Sequence, residues 1–195
     1  MYAYLKGLFT HKSATVVHLE AGGVGFEVNI TLNTYAEIQS LESGRLFTYL
    51  QTKEDGQTLY GFYELEEKEV FVLLISVSGV GAAIARMMLS SLRSSEVASA
   101  ITQGNVALLQ GIKGIGKKTA ERLVLELKEK MQKHTNNLPN TIKLPVNVIE
   151  SDALNALMAL GIGKVQAEQS IKTIILAHPG IVHLEELIKK ALKAI

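Results

Sequence analysis

The sequence predicts a multidomain α+β protein, in which a small five-stranded barrel is followed by an all-helical middle and a short helical tail. Three observations carry that prediction. Residues 1 to 63 consist of short β-like runs broken by turn residues, and beyond residue 64 the apolar residues recur at helical spacing. Between the two helical parts lies HTNNLPNTIKLPVNVIE, His134 to Glu150, rich in Asn and holding Pro139 and Pro145. Its composition is that of a linker. The expected divisions are therefore 1–63, 64–134, a linker over 135–150, and 151–195.

Composition excludes several functions at once. The 195 residues are 47% hydrophobic and contain no cysteine, which removes disulfides, thiol catalysis and cysteine zinc sites. No stretch approaches the ~20 apolar residues of a membrane span, and MYAYLKGLFTHKSAT lacks the charged-then-apolar pattern of a secretory signal. A cytoplasmic protein with no membrane partner is expected. His11, His18, His134, His178 and His183 form no metal-ligand spacing. No Ser/His/Asp set or defensible carboxylate pair is present either, so no catalytic residue, metal or cofactor is expected.

In the first part, strands are expected over Tyr2 to Phe9, Thr15 to Leu19, Val24 to Ile30, Leu46 to Gln51 and Thr58 to Phe62. Phe26, Val28 and Ile30 alternate with Glu27 and Asn29, giving that strand one buried and one wet face. Gly22-Gly23 and Asp55-Gly56 mark hairpins, and Thr34 to Leu41 suits a short helix before the fourth strand. Five strands with a helix at that break fit an OB-fold barrel. Its most conspicuous turn is acidic, Lys53-Glu54-Asp55-Gly56. One reading is a solvated hairpin tip. The other places Glu54 and Asp55 where they keep phosphates away, since like charges repel over about 8 to 10 Å.

Glu64 to Glu69 opens the helical middle with a run of acids ahead of Val70, Phe71, Leu73, Leu74 and Val77, as a helix with a solvated acidic first turn would. Further on, Ser95 is expected to cap a helix over Glu96 to Ile101, and Asn105 one over Val106 to Gln110.

Gly111 to Leu127, GIKGIGKKTAERLVLEL, joins a glycine turn, a group of cations and an amphipathic helix. Ala120, Leu123, Val124 and Leu127 form one apolar stripe. Gly114-Ile115-Gly116 turns the chain so that amides at the new helix start are left for an anion. Lys113, Lys117, Lys118 and Arg122 surround that point. A nucleotide P-loop requires Ser or Thr directly after Gly116-Lys117, but Lys118 stands there and Thr119 comes one residue late. That offset rotates the hydroxyl by roughly 100° around the helix.

Ser76 to Leu92, SVSGVGAAIARMMLSSL, repeats the design 35 residues earlier. Gly79, Val80 and Gly81 match Gly114, Ile115 and Gly116, and Ala85, Met88, Leu89 and Leu92 match the later stripe. The repeated unit resembles a tandem helix-hairpin-helix, which grips the DNA backbone without reading bases; the competing reading is a pair of tight turns in a helical bundle. Charge favours a grip: residues 111–134 carry +4, whereas 1–63 and 64–110 carry −2 each. Only the second copy has a lysine pair.

In the tail, Ser151 is expected to open a helix bearing Leu154, Leu157 and Met158, closed by Gly161-Ile162-Gly163. A second carries Ala167, Ile171, Ile174 and Ile175 and stops at His178-Pro179-Gly180. A third carries Leu184, Leu187, Ile188, Ala191, Leu192 and Ile195. Three such helices in about 45 residues make a small UBA-like docking module on a tether.

Across nearly the full length, the chain resembles the RuvA family of Holliday junction branch migration subunits. The stretches that carry the resemblance are GGVGFEV at Gly22 to Val28, EDGQTLYGF at Glu54 to Phe62, SGVG at Ser78 to Gly81 and GIGKKTAERL at Gly114 to Leu123. The resemblance implies a homotetramer, or a pair of tetramers, on a four-way DNA junction. It also implies that Glu54 and Asp55 form an acidic pin at the crossover. Residues 151–195 would then bind the ATPase motor RuvB, and RuvC resolvase is a further partner the resemblance allows. In one respect the chain departs from the family: the first Gly-Val-Gly is followed by Ala82-Ala83 where Pro-Lys is usual. Hairpin 1 would then act through Gly79, Val80 and Gly81, with Arg86 as a substitute cation. Hairpin 2 would act through Lys113, Gly114, Ile115, Gly116, Lys117, Lys118, Thr119 and Arg122. A protein adaptor without junction preference is the alternative.

Overall fold

A computed structural model describes residues 2–54, 56–137, 145–177 and 184–194. They fall into two compact units, Met1–Leu138 and Pro139–Ile195.

In the first unit the strands β1 (Tyr4–Lys12), β2 (Val16–Ala21), β3 (Val24–Ile30), β4 (Ser43–Lys53) and β5 (Gly56–Phe62) close into a barrel in the order β1-β2-β3-β5-β4. Every pairing is antiparallel except β3 with β5, which are joined in parallel through Asn29 to Tyr60 and Ile30 to Gly61. Between β3 and β4, helix α1 (Leu32–Ile38) buries Ile38 in the barrel core, with Leu5, Phe9, Val17, Leu19, Val28, Ile30, Leu46 and Leu59. Gly7 is required where β1 crosses β2, because a Cβ there would lie 1.8 Å from the Glu20 carbonyl oxygen. Chain closure thus depends on a missing side chain.

The rest of this unit is helical: α2 (Leu65–Ile75), α3 (Ala82–Ser91), α4 (Ser94–Gln103), α5 (Val106–Gln110) and α6 (Lys117–Asn137). Their core is continuous with the barrel wall. Phe71 of α2 packs on Tyr49, Tyr60 and Phe62 with ring centroids 5.6, 5.2 and 4.9 Å away, geometry favoured by aromatic quadrupoles. The Asn105 cap forms as expected, accepting from the Leu108 amide at 3.1 Å. Ser95 does not cap α4. That helix starts at Ser94, and the Glu96 carboxylate reaches back to the Arg93 amide at 2.7 Å, so a side chain inside the first turn does the capping.

The second unit contains α7 (Pro145–Ala159), α8 (Lys164–Ala177) and α9 (Leu184–Lys193) around Ala153, Leu157, Ala167, Ile171, Leu187 and Ala191. Here the expected bounds need correction. Helix α6 runs on to Asn137, and α7 begins at Pro145, not Ser151. Proline fits the first position of a helix, where no backbone donor is required. Pro139 and the segment His178-Pro179-Gly180 lie outside the described residues. Among the described residues no helix is long and apolar enough to cross a membrane.

Candidate DNA-backbone interface

The two glycine hairpins have the same geometry. Gly79 and Gly114 have φ of +92° and +93°, a left-handed conformation that strains any residue with a Cβ. Val80 and Ile115 are buried and anchor the turns; their amides donate to Val77 and Ile112 carbonyls at 3.0 and 3.1 Å. Each following helix begins alike, with Ala85 donating to Gly81 and Ala120 to Gly116, both at 3.0 Å. Gly81 is the N-cap of α3 and no side chain caps it. A Cβ at Gly81 or Gly116 would meet nothing within 4 Å. Each turn therefore presents bare backbone to solvent at a helix N-terminus, the arrangement that suits a phosphate.

The charge around the turns is unequal. Lys113, Lys117 and Lys118 are exposed around the second hairpin, with Thr119 half-buried beside them. Lys117 lies 4.0 Å from Glu121, an exposed i,i+4 pair that leaves the ammonium accessible. Arg122 has a further task, since its Nη1 donates to the Ser78 carbonyl of hairpin 1 at 3.1 Å while its Nε lies 3.7 Å from Glu126. Hairpin 1 itself has no cation between Ser76 and Ile84. Arg86, the expected substitute, is turned toward the barrel: its Nη1 donates to Asn29 Oδ1 at 2.8 Å and to the Thr15 carbonyl at 3.3 Å.

The acidic run that opens α2 holds a residue that sequence reasoning misplaced. Glu67 is not part of a solvated first turn; it is buried, and Thr31 and Thr34 donate to its two carboxylate oxygens at 2.6 and 2.8 Å. Burial raises its pKa above the ordinary carboxylate value, against the opposing effect of the two hydroxyl bonds. Thr31 also caps α1 through the Thr34 amide at 2.9 Å, and Thr34 Oγ1 accepts from the Tyr63 amide at 3.0 Å. No local sequence signal marks this contact, because its partners are 36 and 33 residues apart.

At the β4–β5 turn Glu54 is exposed, and Asp55 lies outside the described residues. On the barrel exterior His11 and His18 face each other across β1 and β2 at 4.9 Å, with Glu27 3.8 Å from His18. Among the described residues no group of three His, Asp or Glu is placed to hold a metal ion.

Comparison with known families matches the RuvA N terminal domain over residues 1–61 and the RuvA C-terminal domain over 149–195, with a SAM-like helix-hairpin-helix tandem over 71–129 between them. Holliday junction branch migration complex subunit RuvA of Cytophaga hutchinsonii is 40% identical, covering 99% of both chains. The chain belongs to the RuvA family. The subunit of the same description from Flavobacterium psychrophilum is 44% identical, again over 99% of both chains. That from Geobacter sulfurreducens is 44% identical over 88% of this chain and 91% of its own. The family's three segments correspond in order to the barrel, the paired hairpins and the α7–α9 unit.

Proposed function

We propose that this protein binds four-way Holliday junctions by their backbones, without reading bases, and holds them open for branch migration in recombination and repair. The observation that carries this reading is the pair of matched hairpins, joined through Arg122 and Ser78, in a chain of this family. Hairpin 2 contributes Lys113, Lys117, Lys118 and its backbone turn. Hairpin 1 contributes backbone alone, since Arg86 is engaged with the barrel. Each phosphate contact contributes roughly 0.9 to the slope of log K against log salt, so this chain should show a shallower salt dependence than one with cations at both hairpins.

The protein acts as a non-catalytic cytoplasmic subunit, a tetramer or a pair of tetramers, and the ATPase belongs to RuvB. Glu54 and Asp55 act as the pin that repels strands at the crossover. The second unit recruits the motor, supported by Leu160, between α7 and α8, and by Val165 and Leu176 on α8, all more than half exposed. A Leu160→Glu chain that still captured RuvB would exclude that part of the face.

The decisive experiment titrates the full chain and its Lys117→Glu/Lys118→Glu form against an immobile four-way junction and a linear duplex at two salt concentrations. Preference for the junction, lost in the double variant, is expected. Unchanged binding by the variant would sink the phosphate assignment, and equal binding of both DNAs by the unaltered chain would favour a protein adaptor.

A further inference from the structure

One six-residue segment of the barrel, Asn29 to Thr34, holds the helices on both sides of hairpin 1. Ahead of the hairpin, α2 is fixed by Glu67, which receives Thr31 and Thr34. Behind it, α3 is fixed along its length. Asn29 Oδ1 receives Arg86 at 2.8 Å, and the Leu32 amide donates to Ser90 Oγ at 3.1 Å. Asn33 Nδ2 donates to the carbonyls of Leu89 and Leu92 at 2.6 and 3.1 Å. Arg86 is the member of this set closest to the glycine turn, five residues beyond Gly81, and the only cation on α3.

We infer that Arg86 is a positioning residue for junction binding, which sets hairpin 1 against the barrel through Asn29 and Thr15 and does not itself touch phosphate. The inference rests on the DNA-backbone reading above. A hairpin with a flexible lysine can find a phosphate over several ångströms, because the cation moves on its stem. One that offers only backbone amides must be placed within hydrogen-bond reach in advance. A half-buried guanidinium that makes two bonds to a neighbouring domain supplies that placement, and its planar fork makes it stiffer than an ammonium would be. The absence of a lysine within hairpin 1 itself and the arginine of its own helix turned away from it are thus two parts of one arrangement.

The test uses the full chain and an immobile four-way junction, with affinity measured across a salt series for Arg86→Ala, Arg86→Lys, Asn29→Ala and Arg86→Ala/Asn29→Ala. Arg86→Ala and Asn29→Ala should each weaken binding by roughly three- to tenfold, with the salt slope of the unaltered chain. The double variant should be no weaker than the worse single one, and Arg86→Lys should recover part of the loss. Asn29 carries no charge, so a shared loss at unchanged slope identifies placement and not phosphate contact. A slope shallower by about 0.9 in Arg86→Ala, with Asn29→Ala normal, would overturn the inference and make Arg86 a phosphate ligand. Unaltered affinity in both single variants would overturn it as well, while leaving the DNA reading intact. An unaltered chain that ignores the junction would overturn both.

Discussion

Arg122 of the second hairpin's helix donates to the backbone carbonyl of Ser78, the residue immediately before the first hairpin's glycine, at 3.1 Å. Gly114 in turn lies against Ile84 of α3, whose Cγ1 would be 3.8 Å from a Cβ placed there. Each hairpin is thus in contact with the other's following helix, and their separation is set within the protein before DNA arrives. Arg122→Ala should therefore reduce junction affinity more than Arg122→Gln, which retains a donor for Ser78. Equal losses in a salt-resolved titration would assign the residue's whole contribution to its charge.

The hairpin glycines should separate into two classes. Alanine at Gly79 or Gly114 must adopt positive φ, at a cost of about 1–2 kcal/mol, visible as a lower midpoint in urea unfolding. Alanine at Gly81 or Gly116 meets nothing and should leave stability within about 0.5 kcal/mol. Its methyl would nevertheless stand at the helix start proposed to receive a phosphate, so binding should fall. Full affinity in Gly116→Ala would show that DNA does not approach that amide.

For the acidic turn, Glu54→Gln/Asp55→Asn should leave junction affinity equal or higher, because repulsion is removed, while slowing strand exchange driven by the partner motor. An unaltered exchange rate would reduce the turn to a solvated hairpin tip.

Glu67 supplies a pH dependence of stability. Its pKa is raised in the folded chain, so the folded state keeps this proton to higher pH than the unfolded state does. The stability linked to that proton is complete below the unfolded value, about 4.3, and is lost as pH rises through the folded one. Glu67→Gln has no proton to lose and should gain on the unaltered chain as pH rises from about 4 to about 7. Urea midpoints that differ by a constant amount across that range would contradict the assignment.

Much of this architecture is legible in sequence where the cause is local. The alternation at Phe26, Val28 and Ile30 marks β3, and Val28 and Ile30 are indeed buried. Asn105 announces α5 because its cap reaches only three residues ahead. The paired Gly-aliphatic-Gly turns are visible because one backbone geometry imposes one residue pattern twice. What escaped is what acts at a distance. Glu67 looks solvated in its own helix, and Arg86 looks like a hairpin cation, because Thr31 and Asn29 stand 36 and 57 residues from them. Pro145 looks like a linker residue by composition yet is the first residue of a helix, since the same fixed φ serves both roles.

The tail unit contains the Gly-aliphatic-Gly pattern a third time, at Gly161-Ile162-Gly163. Gly161 has φ of +90°, and Ala167 donates to Gly163 at 2.9 Å as Ala85 does to Gly81 and Ala120 to Gly116. Three segments of one polypeptide enter a helix through a glycine of positive φ, but the tail closes its turn differently: Ile162 donates to Leu157, five residues back, where Val80 and Ile115 reach back only three. The turn is a joint in the carpentry of the chain, and its chemical address is written by the neighbours: a lysine pair at one copy, a bracing barrel at another, and at the last a single lysine, Lys164, 3.6 Å from Glu168 and flanked by the exposed Leu160 and Val165.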